Sequence, residues 1–201
     1  TGTYFSKKEI EELIYHLPDH VILVYDEVYY HFTDAEDYTT ALPYVLEGKN
    51  IIAINSFSKA YGLAALRIGY SYSTPEIATY LRNIRRPFMI NTLSMEAAIA
   101  ALEDTDFIAQ SRDFVHQEKA FLYAQFDRLG IQYWKTQANF ILVKVPMEAN
   151  ICEHEMLKDG IMVRVANGFP KPNYVRITIG TRKANETVVA AISKILVVLS
   201  K

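Results

Sequence analysis

The apolar run Ile51-Ile52-Ala53-Ile54 leads directly into Ser56-Phe57-Ser58-Lys59-Ala60-Tyr61-Gly62-Leu63-Ala64-Ala65-Leu66-Arg67-Ile68-Gly69-Tyr70. A short continuous apolar run reads as a strand buried in a parallel sheet. Hydroxyls, one lysine and one arginine therefore cluster just past a strand's carboxyl end. Open α/β sheets place their ligand sites there. A lysine amine can form a Schiff base, and guanidinium and hydroxyl donors suit a phosphate. An amine of that kind beside a phosphate grip points to pyridoxal phosphate.

A second continuous run, Val21-Ile22-Leu23-Val24, predicts another such strand over residues 20–25, covered on both faces. Asp26 follows it. An acid at the end of a buried strand is costly unless paired. From the residue alone, a helix cap or surface ion pair stays as open as a ligand contact. Glu27 has the opposite strand parity and is the weaker ligand candidate. Ahead of this strand, Ser6-Lys7-Lys8-Glu9 forms a capping box. Ile10, Leu13, Ile14 and Leu17 follow at helical spacing, and Pro18 stops the helix.

Residues 67–73 predict a short, tyrosine-rich third strand. Thr74-Pro75-Glu76 opens a helix. Residues 94–129 are strongly helical, with a break near Asp104-Thr105-Asp106 and a stop at Gly130. Beyond Gly130 the pattern changes. Strands are expected over residues 139–145, 161–165 and 174–179, and helices over 149–158 and 185–199. A glycine- and proline-rich loop spans residues 167–173. That is an α+β layer with one helical face. We expect two domains, residues 1–129 and 130–201.

The net charge of −2 offers no basic field for nucleic acid or an anionic membrane. No apolar run reaches transmembrane length. The single Cys152 excludes an internal disulfide, fits a reducing, cytoplasmic setting and reads as a small core side chain. The five histidines show no metal-ligand spacing, so no metal is expected.

The Ser56–Tyr70 stretch resembles the lysine motif of fold-type I pyridoxal-phosphate aminotransferases, S-x-S-K followed by a glycine-containing turn and R-x-G. The likeness is strongest to the histidinol-phosphate branch. It extends to Asp26-Glu27-Val28-Tyr29-Tyr30-His31-Phe32, Arg86-Pro87-Phe88 and Tyr174-Val175-Arg176-Ile177-Thr178-Ile179-Gly180-Thr181, in order along the chain. Ala65 stands where the family usually has glycine, and Met89 where it often has asparagine.

The resemblance implies an α/β fold: part of a large domain with a mostly parallel sheet, plus a small α+β domain. It makes Lys59 the catalytic Schiff-base lysine. Asp26 contacts the pyridine nitrogen, and Tyr29 the ring oxygen. Ser56, Ser58 and Arg67 hold the phosphate. Arg176 would grip a substrate α-carboxylate and Arg164 the phosphate of histidinol phosphate, although an isolated strand arginine is as often an exposed charge. The activity implied is transamination between histidinol phosphate and 2-oxoglutarate by a homodimer. An aromatic aminotransferase, a threonine-phosphate decarboxylase and a sensing domain of a transcription regulator are the alternatives. In the family N-P-x-x-P precedes Thr1-Gly2-Thr3. We therefore expect a carboxyl-terminal portion that is inactive alone, with an unpaired edge on its first strand.

Overall fold

The computed structural model describes residues 1–166 and 173–199, so most of the loop expected over 167–173 lies outside the described residues. Two compact units are present, Tyr4–Arg112 and Thr1–Thr3 with Asp113–Lys201. By packing, the division falls inside a long helix. The change of sequence pattern comes later, at Gly130.

In the unit of residues 4–112, strand β1 (Leu23–Asp26) pairs in parallel with β2 (Ile51–Ser56). Strand β3 (Gly69–Ser73) returns antiparallel beside β2, giving the order β1-β2-β3. β1 begins later than the apolar run because the Val21 N–H donates to Pro18 O in a turn. The ladder starts only where Leu23 N–H reaches Asn50 O, 2.9 Å away. Helices α1 (Lys7–His16) and α2 (Leu42–Leu46) cover one sheet face. Ile10, Tyr44 and Val45 pack there against Tyr25, Ile51 and Ala53. Both bonds of the Ser6/Glu9 capping box form, and the Ser6 hydroxyl and then the Ser6 N–H, each donating to the Glu9 carboxylate, hold that carboxyl below its ordinary range. The other face leaves Val24 56% and Ile54 38% exposed. The expected cover on both faces is thus met, among the described residues, on the face that α1 and α2 occupy.

Helices α3 (Pro75–Ile84) and α4 (Thr92–Glu103) follow. The break between α4 and α5 (Thr105–Arg128) is made by Asp104, whose carboxylate accepts from Phe107 N–H at 3.0 Å. A second small core of Phe57, Tyr61, Ile68 and Ala98 lies in the turn region after β2.

In the other unit, β4 (Tyr133–Trp134), β5 (Phe140–Lys144), β6 (Arg164–Val165) and β7 (Tyr174–Thr178) form an antiparallel sheet of order β4-β5-β7-β6. Helices α6 (Ala149–Lys158) and α7 (Arg182–Leu199) complete it. Phe140, Ile141, Leu142 and Val143 are buried in succession. β6 is shorter than expected because Gly160, at φ +75°, lets Ile161 N–H bond back to Met156 O. β4 was not expected: two residues carry too little pattern to read. Cys152 is buried, and burial pushes its thiol up to about 11. Gly2 sits at φ +84° with its carbonyl accepting from Gln137 N–H at 2.7 Å. A Cβ there would lie 2.1 Å from Thr136 Oγ1.

Candidate cofactor site

The parallel pairing sets Asp26 opposite Ile54, and the antiparallel pairing sets Gly69 opposite Ser56. The carboxyl ends of β1 and β2 and the start of β3 therefore share one sheet edge. Alternation places Asp26 on the open face with Val24 and Ile54. Its Oδ1 accepts from Val28 N–H at 3.1 Å, and Tyr30 N–H bonds to Glu27 O at 2.9 Å. This tight turn presents the Tyr29 ring to the Lys59 ammonium, 5.2 Å from the ring centroid.

After β2, the Ser56 hydroxyl accepts from Ser58 N–H at 3.0 Å. Leu63 N–H returns to Phe57 O at 2.9 Å, and Gly62 turns at φ +68°. Phe57 and Tyr61 are buried and pin this turn from below, which leaves Lys59 half-buried at its crest. The Lys59 ammonium has no hydrogen bond or ion pair among the described residues; its recorded contact is the Tyr29 ring.

Arg67 adopts a left-handed conformation (φ 50°, ψ 45°), unusual for a residue with a Cβ and costing on the order of 1–3 kcal/mol. Its Nη1 donates to Ala64 O at 2.9 Å and more weakly to Ser58 Oγ at 3.4 Å. The rest of the exposed guanidinium fork is left for another acceptor. Gly69 is required just beyond, because a Cβ would come within 2.6 Å of the Asn55 carbonyl oxygen.

These residues fit pyridoxal phosphate by the chemistry of the donor set. Ser56, Ser58 and Arg67 supply hydroxyl and guanidinium donors, Lys59 an amine without a competing carboxylate, and Asp26 an exposed carboxylate on the same sheet edge. The structure adds two residues that sequence reading did not place in the site. Glu27 is buried and bonded on the opposite face of β1 from Asp26. The His31 ring centroid lies 3.8 Å from that of Tyr30, the rings tilted by 36°, and meets the Tyr61 ring edge-on at 5.0 Å; burial pushes its imidazole down to about 4, so it is neutral at pH 7. The available signal for Glu27 was its parity with the buried Tyr25.

In the other unit, Arg164 and Arg176 are direct register partners on β6 and β7. Like charges opposed on one sheet face repel unless an anion lies between them. Arg164 is exposed. Arg176 is half-buried over the Phe140 ring, 4.7 Å from its centroid, with a buried Nε that has no hydrogen-bond partner among the described residues. Such a donor suits a bound carboxylate or phosphate. Among the described residues no group of three or more His, Cys, Asp or Glu could hold a metal ion, and no helix is long and apolar enough to cross a membrane.

Comparison with known proteins adds to this geometry. The family model for aminotransferase class I and II matches residues 1–192. A histidinol-phosphate aminotransferase of Moorella thermoacetica is 39% identical over 197 residues, which are 98% of this chain and 51% of that protein. The solved histidinol-phosphate aminotransferase of Sinorhizobium meliloti, in complex with pyridoxal 5'-phosphate, superposes with a TM-score of 0.88 at 25% identity. That match covers 99% of this chain and 55% of the other. The L-threonine-O-3-phosphate decarboxylase of Porphyromonas gingivalis gives a TM-score of 0.82 at 26% identity, covering 97% of this chain and 61% of the other. The chain spans about half the length of the curated relatives it matches.

Proposed function

The chain belongs to the class I and II aminotransferases, with the α/β fold of the fold-type I enzymes, and we propose that the whole protein transfers an amino group between L-histidinol phosphate and 2-oxoglutarate. The observation that carries this reading is the single sheet edge shared by Asp26, Lys59 and Arg67, with Tyr29 against the lysine. The 39% identity to a histidinol-phosphate aminotransferase supports the choice of substrate.

Pyridoxal phosphate, when bound, supplies a carbon that carries the amino group and a ring that accepts the electron pair released at the substrate carbon. Lys59 Nζ would tether it and would move the proton at the substrate carbon as base and then acid. The Asp26 carboxylate would hold the pyridine nitrogen in its protonated form. The Tyr29 hydroxyl would donate to the ring oxygen, and Ser56, Ser58 and Arg67 would hold the phosphate.

Arg176 takes the α-carboxylate of glutamate, and Arg164 takes the phosphate of histidinol phosphate. Two guanidiniums opposed across β6 and β7 fit a pair of substrates that carry different anions. In this reading residues 1–129 belong to the cofactor-binding domain and 130–201 to the small domain of a cytoplasmic homodimer. Residues 1–201 alone do not transaminate.

The test is glutamate formation by the whole protein from histidinol phosphate and 2-oxoglutarate. We expect saturable turnover that requires both substrates. Turnover with an aromatic donor and none with histidinol phosphate overturns the substrate assignment. The likeness to the threonine-phosphate decarboxylase supports one second reading, which release of carbon dioxide from phosphothreonine would establish instead.

A further inference from the structure

We infer that Glu27 is a positioning residue: its buried carboxylate cross-ties the strand ends that carry Asp26 and the Lys59 turn, and so sets where the acid stands relative to the amine. The inference rests on the aminotransferase reading of the site above. Glu27 is only 3% exposed. Its Oε2 accepts from Asn55 Nδ2 at 3.0 Å and from the Tyr72 hydroxyl at 2.7 Å, and its Oε1 accepts from Ala41 N–H. One carboxylate thus joins β1, β2, β3 and the chain entering α2. All three donors are neutral, and no cation pairs with Glu27 among the described residues.

The position of this tie matters more than its strength. Glu27 follows Asp26 and Asn55 precedes Ser56, so the bond between them links residues directly adjoining both candidate segments. The Glu27 N–H also bonds to Ile54 O at 2.9 Å, which locks the backbone at the same level. Among the described residues the Asp26 side chain has a single hydrogen bond, to Val28 N–H. Its placement therefore depends on how the end of β1 is held from the opposite face.

A carboxylate is needed for this. It accepts from three donors at once with Oε1 on the Ala41 N–H, which can only donate, whereas glutamine puts an NH2 where Oε2 serves both Asn55 and Tyr72, and each of those must turn round or lose its bond. Around it, burial first and then neighbouring charges that include Glu27 raise the hydroxyls of Tyr25, Tyr30, Tyr38, Tyr70 and Tyr72, so these phenols stay protonated at neutral pH.

The test compares the full-length wild type with Glu27→Gln and Tyr72→Phe. It reads kcat and KM for histidinol phosphate, the induced circular dichroism of bound pyridoxal phosphate, and the thermal midpoint. A shift of the acid by about 1 Å costs on the order of 10²-fold in rate. We expect Glu27→Gln to lose kcat on that scale with KM within about two-fold, because no substrate contact is removed. The dichroism band, which reports how the ring is seated, changes with it. Tyr72→Phe deletes one of the three bonds and moves kcat and the band in the same direction by less.

A lowered thermal midpoint with kcat and the band unchanged in either variant overturns the inference and leaves Glu27 a purely structural anchor. Where Glu27→Gln does not fold, Tyr72→Phe decides on the same two readouts. A wild type that makes no glutamate overturns the substrate reading instead. The dichroism of bound cofactor then still judges Glu27.

Discussion

In the sheet of residues 113–201, β5 buries Phe140, Ile141, Leu142 and Val143 in succession, while in the sheet of residues 4–112 Val24 and Ile54 stand open to solvent. The first sheet is a finished core that carries arginines on β6 and β7. The second has one covered face, and Asp26 projects from the uncovered one. The candidate cofactor site thus lies on the less complete of the two sheets. That arrangement suits a ligand site, since a face sealed by helices could not admit a cofactor ring. It also means that, among the described residues, β1 pairs with β2 alone and leaves a strand edge. An unpaired edge is a place where further chain can add.

The comparison is broken most directly by function. We expect the 201 residues alone to bind pyridoxal phosphate weakly and to show no turnover, while the whole protein does both. Absorbance titration with the cofactor and a glutamate assay check this. Tight, saturable binding with turnover by residues 1–201 would mean that the open sheet is already sufficient.

A smaller effect separates the two sheets by stability. Ile141 is fully buried on β5, and Ile141→Ala is expected to cost about 2–5 kcal/mol. Val24 is 56% exposed, and Val24→Ser is expected to stay within about 0.5 kcal/mol. Urea unfolding followed by circular dichroism measures both. Similar losses would show that the Val24 face is packed in solution.

Glycines sharpen the contrast at a lower level. Gly69→Ala sets a Cβ 2.6 Å from the Asn55 carbonyl, a backbone atom held in the β2–β3 ladder. Gly2→Ala meets the Thr136 hydroxyl and adds the strain of φ +84°. Overpacking of this kind costs about 1–3 kcal/mol. We expect Gly69→Ala to loosen the Ser56–Arg67 turn and weaken cofactor binding. Gly2→Ala is expected to destabilise the unit of residues 113–201. Hydrogen exchange resolved by segment distinguishes the two, and protection lost in the opposite segments would contradict this assignment.

Much of this fold could be read from local signals. The capping box at Ser6, the break at Asp104, the stop at Gly130 and the whole of α6 depend on neighbours within a few residues, and the sequence displays those. Strand limits were less legible, because Val21 and Ile161 are apolar yet spend their N–H groups in turns. The clustering of Ser56, Ser58, Lys59 and Arg67 was legible because they lie together past one strand end, whereas Asp26 and Tyr29 joined them only through the family resemblance. The three bonds of Glu27 were not. Their donors lie 14, 28 and 45 residues away, and alternation says only that the carboxylate points inward. The docking of Gly2 on Thr136, 134 residues distant, was equally invisible.

The smallest expected effect is a difference in acid sensitivity. His31 is lowered from 6.5 to about 4 by burial among Tyr30 and Tyr61. Between those values the unfolded chain binds more protons than the folded one. The contribution of His31 to stability is therefore complete above pH 6.5 and is lost as pH falls toward 4. In the other unit, Glu118 is lowered below its ordinary 4.5, chiefly by its hydrogen bond with Arg182 and with help from Asn185. Its contribution is present above 4.5 and is lost only as pH falls through its lower folded value. On acidification from neutrality the unit of residues 4–112 should therefore weaken first. Segment-resolved hydrogen exchange at pH 6.5 and pH 5 checks this, after correction for the intrinsic pH dependence of exchange. We expect opening in β1–β3 to increase while β5 and β7 hold. His31→Phe keeps a ring against Tyr30 and removes the titration, so the difference between the two pH values should shrink in that variant. An unchanged difference would show that His31 does not set the acid response, and the contrast between the two sheets would then be one of cover alone.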